Sequence, residues 1–418
     1  MKTLPWLSLI LILLIRHTAH AAPQESAFIT DFPQSGLSAD QLGIIVNDDD
    51  PDSVAIAAYY QLKRGIPAGN LIHVRFKPGR STLSREEFIS IKRRVDRATP
   101  RGVQAFALTW AQPYRVDCMS ITSAFALGFD PAYCASGCQP TQTSPYFNSN
   151  AERPYDTYKI RPTMSLAAAS VEEAKKLIDR GVASDNTNPA GTAYLVSTTD
   201  KARNVRAAGY DLLRTQLERV IPTEIVQANA LVKKHDVMFY FTGLTHVASL
   251  GSNTFLPGAI ADHLTSTGGE LFGSTQMSSL RWLEAGATGS YGAVVEPCNF
   301  QSKFPLPGLV MANYLQGETL IEAYWKSVQM PGQGLFIGEP LARPFAGISQ
   351  REHEGGITLS ARLLTAGRYN LQAAPSLIGP YRTVGRIGVG RGTREIRLDK
   401  IPPAYYRFER HAEPVPTR

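Results

Sequence analysis

The sequence predicts an α/β protein in which helices cover a mostly parallel sheet, followed by a small C-terminal β module. Three observations carry that prediction. Short apolar segments alternate with amphipathic ones from Leu42 to about Glu339, helix start and stop signals fall between them, and after Pro344 the period shortens to that of strands. The chain divides accordingly into a leader at 1–21, a body at 38–345 and a β-rich module at 346–412.

The leader has a positive start at Lys2, an apolar run from Trp6 to Ile15 too short to cross a bilayer, and a small-x-small site at Ala19-His20-Ala21. No cysteine follows that site to take a lipid, and no later stretch is apolar for the roughly eighteen residues a membrane span needs. The expectation is an exported protein, periplasmic or extracellular, with no membrane span after signal removal. Removing Lys2 and Arg16 lowers the formal charge from +7 to +5, and the basic residues are scattered along the chain without a stripe of neighbouring aromatics. Nucleic acid is therefore not an expected partner.

Leu42–Val46 reads as the first strand. The next helix opens at Asp50-Pro51, with Asp as N-cap and Pro at the first helical position, places Val54, Ala58 and Leu62 on one face and stops at Gly65. Leu71–Phe76 returns as a strand. Ser84 with Glu87 starts a second helix, whose stripe is Phe88, Ile91 and Val95, and Val103–Trp110 is the strand after it. Ser170 with Glu173 repeats the device and leads to a stop at Gly181. Strands at Thr192–Ser197, Glu224–Gln227 and Asp236–Thr242 surround a helix from about Ala202 to Val220, and a further pair of helical turns ends at Gly286. Tyr291–Glu296 is a strand, Leu309–Val328 is helical with a break near Gly317, and Leu335–Ile337 closes the body. In the module, Ile357–Leu363, Tyr369–Gln372, Tyr381–Ile387, Glu395–Leu398 and Ala404–Phe408 alternate as short strands.

Between about 112 and 162 the periodicity is lost to Tyr, Pro, Ser, Asn and Cys, which marks an insertion. Cys118, Cys134 and Cys138 lie there, and in an oxidising compartment a local disulfide is expected, Cys134 to Cys138 or either of them to Cys118. Cys298 is then left as a free thiol.

Ligands of open α/β sheets bind beyond the carboxyl ends of the strands. Three groups are expected there: the acidic run Asp48-Asp49-Asp50, His246 in GLTHVASLG, and Cys298 directly after the strand in AVVEPCNF. An imidazole beside a thiol lowers the thiol pKa and supplies a proton to a leaving amine, so His246 and Cys298 make chemical sense as a pair. The oxygens of Asp48, Asp49 and Asp50 suit a calcium ion, whereas the simpler role is for Asp50 to cap its helix and the other two to favour the helix's positive end. No other cofactor is expected. HExxH does not occur, TGSYG at Thr288 lacks the first glycine of a serine-hydrolase elbow, and GVGRG at Gly388 lies between strands as a turn.

Four segments, NDDDPDSVAIAAYYQLKRGIP from Asn47, YRVDCMSITSAFALG from Tyr114, GATGSYGAVVEPCNF from Gly286 and GETLIEAYWKSVQMPGQGLFIGEPLARPF from Gly317, resemble an uncharacterised family of exported bacterial proteins over about 300 residues. That family brings no assigned activity. FYFTGLTH and GEPLARPF more distantly resemble gingipain-type cysteine peptidases, whose caspase-like fold sets a His after one strand and a Cys after the next. The likeness implies a cysteine peptidase with His246 as acid/base and Cys298 as nucleophile, acting on polypeptide. In a second register FLPGAIADHLTS falls at the nucleophile position and offers Asp262 and His263 instead, and Cys298 lies one strand too late. That register implies a relative whose peptidase chemistry is lost or exchanged, either a noncatalytic binding or surface-associated protein or a hydrolase using Asp262, His263 and the Asp48 cluster with calcium.

The leader reading predicts that the mature protein begins at Ala22. Amino-terminal sequencing of protein recovered from outside the cytoplasm checks it, and an intact Lys2 in that fraction would overturn it.

Overall fold

The computed structural model describes residues 36–411, apart from 136, 219, 347–349, 354–355, 361–363, 365–366, 377–378, 391–394 and 402–403; the leader and its cleavage site lie outside them. In chain order the body begins β1 (Leu42–Asn47), α1 (Pro51–Arg64), β2 (Leu71–Val74), β3 (Thr82–Leu83), α2 (Arg85–Ala98), β4 (Ala105–Leu108), β5 (Arg115–Val116), β6 (Met119–Ser120), α3 (Ile121–Leu127) and α4 (Pro154–Tyr158). It continues β7 (Thr163–Ser165), α5 (Val171–Ser184), β8 (Thr192–Ser197), α6 (Tyr210–Leu217), β9 (Thr223–Gln227), β10 (Val237–Gly243) and β11 (Phe255–Leu264). It ends α7 (Leu280–Glu284), β12 (Gly289–Ala293), α8 (Pro307–Leu315), α9 (Leu320–Trp325) and β13 (Gly334–Gly338). The module adds β14 (Gln350–His353), β15 (Gly356–Ser360), β16 (Gly367–Ala374), β17 (Arg382–Val389), β18 (Glu395–Asp399) and β19 (Tyr405–Arg410).

Ten strands form one sheet in the order β2-β1-β4-β7-β13-β12-β11-β10-β8-β9. β2-β1-β4-β7 and β12-β11-β10-β8-β9 are each parallel, and between them β13 runs antiparallel to β12, where Gly289 faces Gly338 and Ala293 faces Gly334. The two blocks run in the same direction: α1 and α5 descend side by side from the carboxyl ends of β1 and β7, with Tyr59 bonded to Asp179 and Arg64 to Asp185, and Ser184 at the end of α5 lies beside Gly258 at the start of β11. β1 is buried along its whole length, as a strand covered on both faces must be. Ile44 and Val46 belong to the core cluster that takes in residues of α1, α5, α6, α8 and α9, and Ile45, on the other face, to the one that takes in residues of α2, α3 and α7. The α/β class with a mostly parallel, helix-covered sheet and a small C-terminal β module is therefore the observed one.

The capped helices form where their local signals place them. Asp50 accepts from the Asp52 amide, Gly65 ends α1 in the left-handed conformation, and Ser84 and Ser170 accept from the amides of Glu87 and Glu173. Other expectations are corrected by packing. The buried face of α1 is Ser53, Ile56, Ala57 and Tyr60, whereas Val54 is 43% and Leu62 79% exposed. Gly181 does not stop α5, which runs on to Ser184; a Cβ there would lie 2.6 Å from the Glu339 side chain, so the glycine is needed for close approach. The long helix expected from about 202 is shorter, a 3-10 segment Asn204–Gly209 leading into α6. The ten-residue strand β11 is one the sequence pattern hides, because Pro257-Gly258 reads as a break and Asp262-His263 as a polar end. A register shift between β10 and β11 absorbs the irregularity: Val237 faces Phe255 but Phe239 already faces Ile260.

The module consists of two antiparallel three-stranded sheets, β14-β15-β18 and β17-β16-β19. Ile357, Leu359, Tyr369, Leu371, Ile396, Leu398, Tyr406 and Phe408 fill the core between them. Among the described residues the three clusters of the body contain nothing beyond Phe345, and the module's cluster contains nothing before Ile357.

Separate cores predict separable folding. A chain ending after Ala346 should keep a cooperative thermal transition within a few degrees of the full chain by circular dichroism. Loss of that transition would show that the module supports the body.

A candidate ligand cleft beside His246

Strand order separates the acidic run from the other groups expected at the carboxyl ends. The acidic run follows β1, five strands lie between β1 and β10, after which His246 comes, and Cys298 comes after β12. Within the run each carboxylate has a local partner. Asp48 meets the His73 ring at 2.7 Å, Asp49 pairs with Arg75 at 2.9 Å, and Asp50 caps α1.

Asp262 and His263 are both buried in β11, with side chains on opposite faces. Arg206, carried in by the 3-10 segment before α6, donates to Asp262 Oδ1 at 2.6 Å and to the Thr242 carbonyl at 2.5 Å. Burial works to discharge Arg206, and the Asp262 carboxylate more than offsets it, so the guanidinium pKa is raised. His263 is held at both nitrogens. The Trp282 indole N–H donates to its Nδ1 at 2.9 Å, and its Nε2–H donates to the Met277 carbonyl at 3.1 Å. An indole can only donate and a carbonyl only accept, which fixes the neutral Nε2–H tautomer. Burial, with smaller contributions from Arg206 and His246, lowers the His263 pKa to about 3. His263 therefore has no free lone pair or proton to offer a substrate, whereas Asp262 Oδ2 is buried without a partner among the described residues.

Cys298 is not a free thiol. It is bonded to Cys138, and Cys118 is bonded to Cys134, so all four cysteines are in disulfides. The local pairing expected for the insertion is correct for Cys118 with Cys134, and the expectation that Cys298 stays unbridged is not. The reason is three-dimensional. β12 ends at Ala293, earlier than the sequence pattern indicates, and Cys298 lies on the following loop with its amide donating to Glu296 at 2.7 Å. The insertion leaves the carboxyl edge of β4, and the Ser120 hydroxyl donates to the Gly334 carbonyl at 2.5 Å. Gly334 starts β13 beside the end of β12, so Cys138 reaches Cys298 across 160 residues of chain.

His246 remains, exposed on the loop after β10. It helps line a cleft of about 550 Å³ whose other walls include Leu271, Phe272, Gln276, Met277 and Arg281. The segment after β11 supplies most of these. It is anchored by the Thr265 hydroxyl and the Thr267 amide, which both donate to Gln276 Oε1, at 2.6 and 3.1 Å, and by the Met277 amide donating to the Thr245 carbonyl at 2.9 Å. Its first turn lies directly on β12: a Cβ on Gly269 would sit 2.4 Å from the Gly292 carbonyl oxygen. The Gly- and Ser-rich composition of 266–279 marks a loop in the sequence, but nothing there shows that Phe272, Gln276 and Arg281 converge on His246.

Two solved structures are similar to the chain. One is described as a protease, with 9% identity, covering 90% of this chain and 98% of that one, at a TM-score of 0.37. The other is the complex of Porphyromonas gingivalis RgpB pro- and mature domains, with 9% identity, 88% and 99% coverage, and a TM-score of 0.37. This is a distant resemblance in fold, and no residue role is carried across it. No protein family and no curated protein matches the sequence.

The His263 environment predicts a pH dependence. Its folded pKa of about 3 lies below the ordinary 6.5, so between those values the unfolded chain takes up a proton that the folded chain refuses. This contribution to stability is complete above pH 6.5 and is lost as pH falls towards 3, with a slope approaching about 1.4 kcal/mol per pH unit. Long-range 15N NMR should show the Nε2–H tautomer unchanged down to about pH 4.5; a ring that titrates near its ordinary value would refute the burial argument.

Proposed function

We propose that this chain is an exported, noncatalytic polypeptide-binding protein that holds its ligand in the cleft beside His246. The observation that carries this reading is the Cys138–Cys298 bond, which removes the thiolate a cysteine peptidase needs. The groups next to it in the argument are also committed, His263 at both ring nitrogens and Asp262 to Arg206. What the cleft presents is suited to holding a chain: apolar surface from Leu271, Phe272 and Met277 for side chains, and Gln276, Ser274 and His246 for peptide groups. Two disulfides fit an oxidising compartment, and among the described residues no helix is long and apolar enough to cross a membrane.

One observation favours a second reading. Cys138 is exposed, so an external thiol has access to its bond with Cys298. Reduction would then return Cys298 as a thiol, with His246 as the acid/base of a redox-activated cysteine peptidase.

The two readings part in one set of assays. On the noncatalytic reading the native protein has no alkylatable thiol, nonreducing peptide maps contain the 118–134 and 138–298 pairs, and casein is not cleaved with or without dithiothreitol. Binding of an unfolded polypeptide such as carboxymethylated lactalbumin should weaken by about tenfold in Phe272→Ala, the scale of a central aromatic contact. Hydrolysis that appears on reduction and is lost in both Cys298→Ala and His246→Ala would replace this reading with the peptidase.

A further inference from the structure

The positive charge of the chain is not shared between its two parts. Residues 347–418 hold twelve Lys and Arg against six Asp and Glu, a net +6, while the whole chain carries +7. Residues 1–346 thus carry +1, and the leader alone contributes +2 through Lys2 and Arg16. Basic residues occur along the whole sequence, but their excess over acids is a property of the module. Eleven of its twelve basic residues are Arg, the side chain whose planar fork matches carboxylate, sulfate and phosphate groups.

The strand register collects part of this charge on one surface. On β16, Arg368, Asn370 and Gln372 share the face turned away from the core formed by Tyr369 and Leu371. Arg386 of β17 lies opposite Asn370, and Arg407 of β19 lies opposite Gln372, so three arginines occupy that outer face. By sheet geometry the Cα atoms of Arg368 and Arg386 are roughly 8 Å apart, and that of Arg407 lies roughly 12–14 Å from each. Glu409 is the acid among them, and it is taken up by Gln372 Nε2 at 2.7 Å. Among the described residues neither Arg368 nor Arg386 meets a carboxylate within ion-pair distance, and both are exposed.

We infer that the outer face of β17-β16-β19 is a docking surface for an anionic polysaccharide. The inference is independent of the His246 cleft. Charge complementarity selects a polyanion, and the rest of the face selects its kind. A bilayer surface needs large apolar anchors, and on these strands the exposed large hydrophobic residue is Val384. Single-stranded nucleic acid needs free aromatic faces, and the Tyr381 ring is covered by the Arg407 guanidinium at 4.1 Å. A flexible polymer with carboxylates or sulfates at intervals can engage the three separated guanidinium groups at once.

The test uses the full chain with heparin, polygalacturonate, oligothymidylate and phosphatidylglycerol vesicles, over a series of salt concentrations. Binding to the two polysaccharides should weaken steadily as salt rises. The double variant Arg368→Gln/Arg386→Gln should bind them about tenfold more weakly with a shallower salt dependence. A body control, Arg93→Gln/Arg94→Gln on α2, removes the same charge from exposed positions and should leave binding unchanged. The inference is overturned by no binding to either polysaccharide, by equal loss in the body control, by an unaffected module variant, or by tighter binding to vesicles or oligothymidylate. His246→Ala should not alter polysaccharide binding, which separates a failure here from a failure of the cleft reading.

Discussion

The last strand of the body lies in the middle of the sheet, and the rest of the structure depends on that placement. β13 joins the block β2-β1-β4-β7, where Ile337 lies beside Ser165, to the block β12-β11-β10-β8-β9, and it runs antiparallel to β12. Neither block is closed without it. Glu339, the next residue, is fully buried and accepts from the Tyr60 hydroxyl at 2.6 Å and from the Arg64 guanidinium, so the strand that joins the blocks is also tied to α1. A carboxylate removed from water persists there because it is paired and hydrogen-bonded. Gly181 of α5 is the complement of that arrangement, since any side chain would occupy the space of Glu339.

Order along the sheet decides which groups can cooperate chemically. Carboxyl ends of parallel strands face one edge, but β1 and β10 have five strands between them. The acidic run serves the amino end of α1, and His246 belongs to the other block. The insertion after β4 extends along that edge towards the end of β12 and is fastened there by Cys138 to Cys298. Its disulfide takes up the sulfur of Cys298 and uses it to hold a long connection.

The module has a core of its own. Its apolar alternation faces inward from both sheets, while Arg368 and Arg386 are exposed on an outer face and, among the described residues, meet no carboxylate within ion-pair distance. Body and module thus present different surfaces, one an uncharged-to-mixed cleft and the other a cationic sheet.

Local signals in the sequence determined local structure. Asp50-Pro51 and Gly65 bound α1, Ser84 and Ser170 start α2 and α5, and Thr192–Ser197 is the strand that its apolar run describes, because a cap or an alternating pattern acts within a few residues of itself. The α/β class followed from that alternation. Tertiary structure alone decided which face of α1 is buried, since Val54 and Leu62 satisfy the helical period as well as Ile56 and Tyr60 do. It also decided that FLPGAIADHL is a strand despite Pro257 and Gly258, that His263 is a neutral support for Trp282, and that Cys298 finds Cys138. Each of these is set by a partner far along the chain, brought near only when the two blocks meet at β13, and no spacing between neighbouring residues encodes that meeting.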